Sequence, residues 1–169
     1  MPVESQPRII EIAAILWDTN TGDQETVLDT LVNPGIDIPP EITKITGIRG
    51  IHVKGKPAWS ELELDNFHNL LASADVITGH NLRFDLTLVE YEARRMGKAL
   101  ELSDGDLICT VEQTEFVKGF RLKLQSLYEH LTGNKNVQTH RALDDVKMQL
   151  ECFRLLASDG YLPHLGITE

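Results

Sequence analysis

One short stretch near the middle of the chain constrains the fold more than any other. Residues 76–78 form an apolar run, and residues 79–85 then read Gly-His-Asn-Leu-Arg-Phe-Asp. Apolar residues follow at spacings of four, three, four and three, which is the pattern of one helix face. They are Leu82, Leu86, Val89, Ala93 and Met96. The stretch therefore predicts a buried strand, a tight turn and a helix, with Asp85 in the first helical turn.

A second stretch, residues 139–145, reads Thr-His-Arg-Ala-Leu-Asp-Asp and opens another amphipathic pattern. His140 precedes Asp145 by five residues, and side chains at that spacing lie on different faces of a helix. We therefore expect the histidine on the lead-in loop and the aspartate on the helix, both facing one cleft. Taken singly, each stretch also has a plain structural explanation. Gly-His-Asn is a common turn, and an aspartate in a first turn is usually a cap or a solvated charge.

The rest of the chain supplies strands and helices in an order typical of α/β proteins. Residues 9–17 and 25–33 predict an antiparallel hairpin, and Glu11 inside its first strand requires a partner, for which structural pairing is favoured over catalysis. Further elements are expected as a short helix at 41–45, helices at 59–71, 112–117, 122–131 and 141–157, a buried strand at 106–110, and a tail at 161–169. This order predicts a mixed sheet flanked by helices, with the whole chain, 1–169, as one domain.

Composition and charge limit the classes of function. The longest apolar run, 9–17, is interrupted by Glu11 and only strand-sized, so we expect no membrane span or signal peptide and a cytoplasmic location. Cys109 and Cys152 are interpreted as buried free thiols, with a disulfide as the lesser alternative.

The formal net charge of −10 argues against a protein that coats nucleic acid over its whole surface. It does not argue against a nuclease, whose clustered carboxylates recruit the cations that meet phosphates. Basic residues near the second stretch form either a local phosphate-facing rim or a scatter of solvated charges. They are Lys118, Arg121, Lys123, Lys135 and Arg141.

Together, Gly-His-Asn-x-x-Phe-Asp and the downstream His-x-Ala-x-x-Asp resemble the second and third motifs of the DnaQ-like, or DEDDh, 3′→5′ exonucleases. The resemblance covers about residues 8–156 and implies a ribonuclease H-like fold. It also implies phosphodiester hydrolysis with two ions of Mg²⁺ or Mn²⁺. By this resemblance Asp85 and Asp145 are metal ligands, His140 is the general base, and Asn81 and Phe84 bind substrate. Asp144, beside Asp145, is expected to be solvated.

The sequence departs from the family at its beginning. The family starts with a central strand ending in Asp-x-Glu, which supplies two of the four metal-binding carboxylates, and no such motif stands upstream of Arg8. We therefore expect a sheet without that strand and with two facing edges unpaired. Each unpaired buried backbone group costs about 1–3 kcal/mol. The expectation is that the chain is N-terminally truncated relative to the family, or that a strand is supplied from elsewhere.

The implied function is a 3′→5′ exonuclease domain of replication or repair that acts on 3′ ends of single-stranded DNA or RNA, impaired by the two missing carboxylates. The alternative is a nuclease-dead relative that binds nucleic acid or a polymerase. The missing motif favours this alternative, whereas the intact Asp85, His140 and Asp145 favour the enzyme. A plain α/β interaction module is a third hypothesis. A polymerase or a strand-donating second chain is the expected protein partner, and a membrane is not expected.

Overall fold

The computed structural model describes residues 2–135, 139–160 and 162. The tail expected at 161–169 therefore lies outside the described residues, apart from Leu162. The first strands, β1 (Glu11–Trp17) and β2 (Gln24–Leu31), form the predicted antiparallel hairpin. Its register shifts between Ala14 and Ile15, as at a β-bulge. Asp18 starts the connecting turn, where its carboxylate accepts a hydrogen bond from the backbone N–H of Asn20 at 2.8 Å.

The segment after the hairpin is helical in short pieces. It contains α1 (Pro40–Thr46), α2 (Gly50–Val53), a 3₁₀ turn (Trp59–Glu61) and α3 (Asp65–Ser73). The predicted continuous helix at 59–71 is wrong in its first half, because Leu62 has extended dihedral angles (φ −77°, ψ 143°). The interruption allows Trp59 and Leu64 both to enter the core, at 4% and 5% exposure. Burial of these two anchors outweighs the continuous helix that the apolar spacing alone favours.

The strand–turn–helix unit predicted at the centre of the chain is present. Strand β3 (Val76–Gly79) leads into α4 (Leu82–Arg95), and the chain returns as β4 (Asp106–Cys109), parallel to β3. Leu82, Val89 and Ala93 of the predicted apolar face are buried. The helices α5 (Thr110–Lys118), α6 (Leu124–Thr132) and α7 (Ala142–Ser158) follow.

In the described part of the chain the four strands form two separate two-stranded sheets, β1–β2 and β3–β4. The expected mixed sheet is thus divided, and β1 does not pair with β3, in agreement with the expected gap. Helix α7 packs against both β1 and β3. Helix α7 therefore spans the two sheets, and the positions of the site residues described below depend on it.

Two apolar clusters support these elements. One lies beneath α6 and α7, where Leu127, Cys152 and Leu156 have no exposed surface and Phe153 meets Trp17 edge to face at 6.3 Å. The other packs the hairpin and α3 against α4. Both cysteines are free, with Cys152 buried and Cys109 half-buried. No described helix has the length and apolar character needed to cross a bilayer.

A buried ion cluster fixes the lead-in to β1 on α4. The carboxylate of Glu92 is 4% exposed and accepts a hydrogen bond from the backbone N–H of Ile9 at 3.2 Å. It also pairs with Arg8 at 3.3 Å and Arg95 at 3.0 Å. Because a buried carboxylate without such partners is costly, these contacts define where β1 begins relative to the central helix.

Candidate active site

The turn between β3 and α4 brings a carboxylate against the end of a strand. Asn81 adopts a left-handed conformation (φ 73°, ψ 42°), which asparagine tolerates better than most residues. Its side chain forms no helix cap, so the residue shapes the turn through its backbone. Asp85 lies in the first turn of α4, as predicted. Phe84 beside it is 55% exposed.

Gly79 allows Asp85 to approach the strand closely. A β-carbon added at Gly79 would lie 3.2 Å from Leu82 Cδ1 and 3.5 Å from Asp85 Oδ2. The Asp85 carboxylate thus lies directly against the last residue of β3. The side chain keeps contact with solvent, yet the surrounding protein reduces the hydration of its carboxylate and raises the pKa of Asp85 to about 6.

His80, next to Gly79, belongs to a polar network and not to the open surface. Its Nε2 lies 3.1 Å from the Leu122 carbonyl oxygen, and its Nδ1 lies 3.1 Å from Thr110 Oγ1. Desolvation lowers the pKa of His80 to about 4, so the ring is neutral at pH 7. When the neutral ring donates a hydrogen bond from Nε2 to the Leu122 carbonyl, its Nδ1 accepts a hydrogen bond from the Thr110 hydroxyl.

The lead-in to α7 presents His140 in an unusual backbone conformation. His140 precedes the helix, as predicted, and has φ 55°, a left-handed conformation that is uncommon without glycine. The Thr139 hydroxyl donates to Asp144 at 2.9 Å and accepts the Arg141 N–H at 3.3 Å. Asp144 is exposed, as expected, and its carboxylate stabilises this turn by accepting the hydrogen bond from Thr139.

Glu11 connects β1 to the same turn. Its Oε1 accepts hydrogen bonds from Arg141 Nε at 2.9 Å and Nη2 at 2.6 Å, while Oε2 accepts the backbone N–H of Ala142 at 2.9 Å. Ala142 is the first residue of α7, where helical N–H groups lack intrahelical partners and a negative charge is favourable. The structural pairing predicted for Glu11 is confirmed by these three contacts.

A contact between α7 and β3 places the face of α7 that carries Asp145 against the strand. Gln149 Nε2 donates to Thr78 Oγ1 at 2.8 Å. Asp145 lies four residues before Gln149 and therefore on the same face of α7. Half-buried Asp145 therefore lies on the face of α7 that contacts β3, the strand whose last residue, Gly79, adjoins the Asp85 carboxylate.

An open cleft of about 950 Å³ lies next to this strand end. It is bounded by α1, the β3–α4 turn, the loop between α5 and α6, and His140. Three cations, Lys44, Arg121 and Lys123, line it against one carboxylate, Glu41. His140, Asn81 and His80 line it too, whereas Asp85 and Asp145 do not.

Of the five basic residues predicted as a rim, Arg121 and Lys123 line the cleft. Arg141 instead pairs with Glu11, and Lys118 and Lys135 are exposed away from the lining. Lys44 is not predicted from the sequence, because it lies in a distant segment and only the packing of α1 brings it to the cleft. Gln149 is not predicted either, and its position one turn after Asp145 is the one signal that could have identified it.

The donor set suits a hard divalent cation only in part. Carboxylate oxygens of Asp85 and Asp145 are ligands that Mg²⁺ and Mn²⁺ prefer. The described residues contain no group of three or more histidine, cysteine, aspartate or glutamate side chains placed to hold a metal. Within the described residues, Asp85 and Asp145 therefore fit such a cation only in part.

These features define an α/β fold with one aspartate, Asp85, at the end of β3, a second, Asp145, on the helix face that contacts β3, and a cleft lined by three cations beside the strand end. The exonuclease family known as RNase_T matches residues 2–153. The chain therefore belongs to this exonuclease family, and the sequence-based assignment is confirmed.

Similar proteins agree with this assignment. The chain is 31% identical over 143 residues to the 3′-5′ exonuclease DinG of Bacillus subtilis, covering 83% of this chain and 15% of that protein. It is 30% identical over 149 residues to a PolC-type DNA polymerase III of Clostridium perfringens, covering 87% and 10%. It is also 30% identical over 153 residues to the DNA polymerase III subunit epsilon of Rickettsia typhi, covering 86% and 64%. The chain thus spans a small part of the first two proteins.

A solved structure of exonuclease X in complex with 5′ overhanging duplex DNA has the same fold. The TM-score is 0.61 at 22% sequence identity, with 92% of this chain and 86% of that chain covered. The predicted ribonuclease H-like α/β fold is confirmed by this similarity.

Proposed function

We propose that this chain is a 3′→5′ exonuclease domain that hydrolyses phosphodiester bonds at the 3′ end of a single nucleic-acid strand. The observation that carries the proposal is the Gln149–Thr78 contact at 2.8 Å. This contact supports a shared site, because it sets the face of α7 that carries Asp145 against the strand whose last residue adjoins Asp85, next to a cleft lined by His140 and three cations.

Asp85 and Asp145 would hold Mg²⁺ or Mn²⁺. Desolvation without a neighbouring cation keeps the pKa of Asp85 raised, to about 6, and a bound divalent ion would reverse that shift. When bound, such ions stabilise the charge of the transferring phosphate and lower the pKa of the attacking water. Two ions need more carboxylates than the described residues bring together, so we infer impaired activity unless further ligands are supplied.

The remaining residues bind and orient the substrate. His140, presented to the cleft by its left-handed backbone, would accept the proton of the attacking water at its imidazole. Asn81 lines the cleft and Phe84 exposes its ring near it, where a base can stack on an aromatic face. Because relatives are named as DNA polymerase III proteins, a polymerase is the proposed protein partner.

Nucleotide release from a 5′-labelled single strand in Mn²⁺ tests the proposal. We expect a ladder that shortens from the 3′ end, is abolished by EDTA, and is abolished by Asp145→Asn. Asp144→Asn is the matched control, because Asp144 is the exposed neighbour and asparagine can still accept the Thr139 hydrogen bond. Equal activity of the two variants would contradict the role of Asp145.

The described residues contain no group of three or more side chains placed to hold a metal, which favours a second candidate, a nuclease-dead relative that binds nucleic acid or a polymerase. The same assay distinguishes the two candidates. Strand binding by the folded chain with no Mn²⁺-dependent cleavage would support the second candidate and reject the first.

A further inference from the structure

The loop between α5 and α6, residues 119–123, has a backbone that is held from two sides. The hydroxyl of Thr114, which has no exposed surface, accepts the Leu122 N–H at 3.0 Å and lies 3.1 Å from the Phe120 carbonyl oxygen. On the other side, the Leu122 carbonyl accepts a hydrogen bond from His80 Nε2 at 3.1 Å. Both backbone polar groups of Leu122 are therefore fixed by side chains of the core.

Fixing Leu122 determines where its neighbours point. The Leu122 side chain packs against the apolar cluster beneath α6 and α7. In extended backbone, successive side chains point to opposite sides, and Lys123 has extended dihedral angles (φ −70°, ψ 156°). Arg121 and Lys123 are exposed, and both line the cleft together with Leu122 and Leu124.

The charge around this loop is opposite to that of the whole chain. The chain carries a net charge of −10, yet the cleft presents Lys44, Arg121 and Lys123 against Glu41. Arg121 pairs with Glu115 at 3.0 Å, but both side chains are more than half exposed, at 62% and 54%. Such an exposed pair contributes little, so a phosphate can replace Glu115 as the partner of Arg121.

We propose that the loop at 119–123 is a binding site for the phosphodiester backbone of a single nucleic-acid strand, with Arg121 and Lys123 contacting successive phosphates. This inference rests on the proposed function, since it assigns residues of the same cleft to binding the substrate strand. Thr114 and His80 are positioning residues, because they hold the loop through the backbone N–H and carbonyl of Leu122.

Fluorescence anisotropy of a short labelled oligothymidylate, measured in EDTA at several NaCl concentrations, tests the loop without requiring cleavage. For single strands each phosphate contact contributes a slope of about −0.7 in log affinity against log salt. Arg121→Gln with Lys123→Gln should therefore reduce the slope by about 1.4 and weaken binding at low salt about tenfold or more.

Arg94→Gln with Lys98→Gln is the matched control. It removes the same charge from exposed positions that do not line the cleft, and Arg94 also has an exposed glutamate partner, Glu90, at 2.6 Å. We expect its affinity to stay within about twofold of the wild type and its salt slope to be unchanged, because distant exposed charges are screened. Equal weakening by both double variants, or no binding by the wild-type chain, would overturn the proposal.

Positioning is tested by Thr114→Val against Thr114→Ser. Serine keeps the hydroxyl and should bind the oligothymidylate like the wild type, whereas valine should weaken binding in protein that urea unfolding shows to be folded. Wild-type binding by Thr114→Val would refute the positioning role.

A competition experiment distinguishes a nucleic-acid strand from free phosphate as the ligand of the loop. Thymidine monophosphate and inorganic phosphate should displace the strand only at far higher phosphate concentration, and equal competition would reject a strand site.

Failure of the loop site can be distinguished from failure of the proposed exonuclease function. Strand binding through the loop without nucleotide release would reject the proposed exonuclease alone. Nucleotide release with an unchanged KM in the Arg121/Lys123 variant would reject the loop site alone.

Discussion

At the scale of single residues, Glu11 shows how a charge inside an apolar strand is used. Its side chain is 9% exposed, and its carboxylate accepts three hydrogen bonds from Arg141 and Ala142. These contacts fix the first residue of α7 and hence the turn that carries His140. Hydrogen bonds to charged groups in such partly buried positions contribute about 1.5–3 kcal/mol.

We expect Glu11→Gln to lower the free energy of unfolding by about 2 kcal/mol in urea titrations, because the neutral amide cannot satisfy the guanidinium and the helix N–H together. Glu90→Gln is the control. Glu90 pairs with Arg94 at an equally short 2.6 Å, but its side chain is 40% exposed, and such helix-surface pairs contribute about 0.3–0.5 kcal/mol. Comparable losses in both variants would contradict the burial argument.

At the scale of elements, the start of the β3–β4 pair depends on close backbone approach. Asp106 N–H donates to the Asp75 carbonyl at 2.9 Å, and Val76 is paired with Asp106. A β-carbon at Gly105 would lie 2.3 Å from the Asp75 carbonyl oxygen and 2.7 Å from that of Ala74. Glycine is therefore required there by the neighbouring backbone, which cannot move without breaking the ladder.

Gly105→Ala should consequently destabilise the chain by about 3 kcal/mol or more, since the clash is with backbone rather than with a flexible side chain. Gly50→Ala is the matched substitution, because a β-carbon at Gly50 meets nothing within 4 Å. At this first position of α2, alanine should be neutral or slightly stabilising. Thermal unfolding of both variants measures the difference, and a similar Tm for the two would refute the clash.

At the scale of the whole molecule, two neighbouring groups make the stability depend on pH in opposite directions. Desolvation lowers the pKa of His80 to about 4 and raises the pKa of Asp85 to about 6. For His80 the unfolded chain binds the proton first, so stability is complete above pH 6.5 and falls as pH decreases toward 4. For Asp85 the folded chain binds the proton first, so stability rises as pH decreases from 6 toward 3.8.

We expect Asp85→Asn, measured by urea unfolding in EDTA, to lose more stability than the wild type between pH 6.5 and 4, because only the His80 contribution remains. His80→Gln should lose less than the wild type over the same range, since only the Asp85 contribution remains. The comparison needs no activity. Parallel stability curves for the three proteins would show that neither group is desolvated in the folded chain.

The local units of this protein follow from the pattern of residues along the chain. The apolar spacing after Gly79 predicted α4 with Asp85 in its first turn, and the five-residue separation predicted His140 outside α7 and Asp145 inside it. Both follow from chain geometry within a few residues, which periodicity reports directly. The family assignment likewise depends on these short motifs.

The contacts that these units make with one another depend on long-range packing. The helix expected at 59–71 is interrupted because Trp59 and Leu64 are both buried, and the sheet is divided into two pairs of strands. Lys44 lines the cleft, Gln149 donates a hydrogen bond to Thr78, and Arg141 forms an ion pair with Glu11. Each depends on contacts between residues far apart in sequence, whose free energy comes from burial and charge pairing in three dimensions and leaves no periodic signal along the chain.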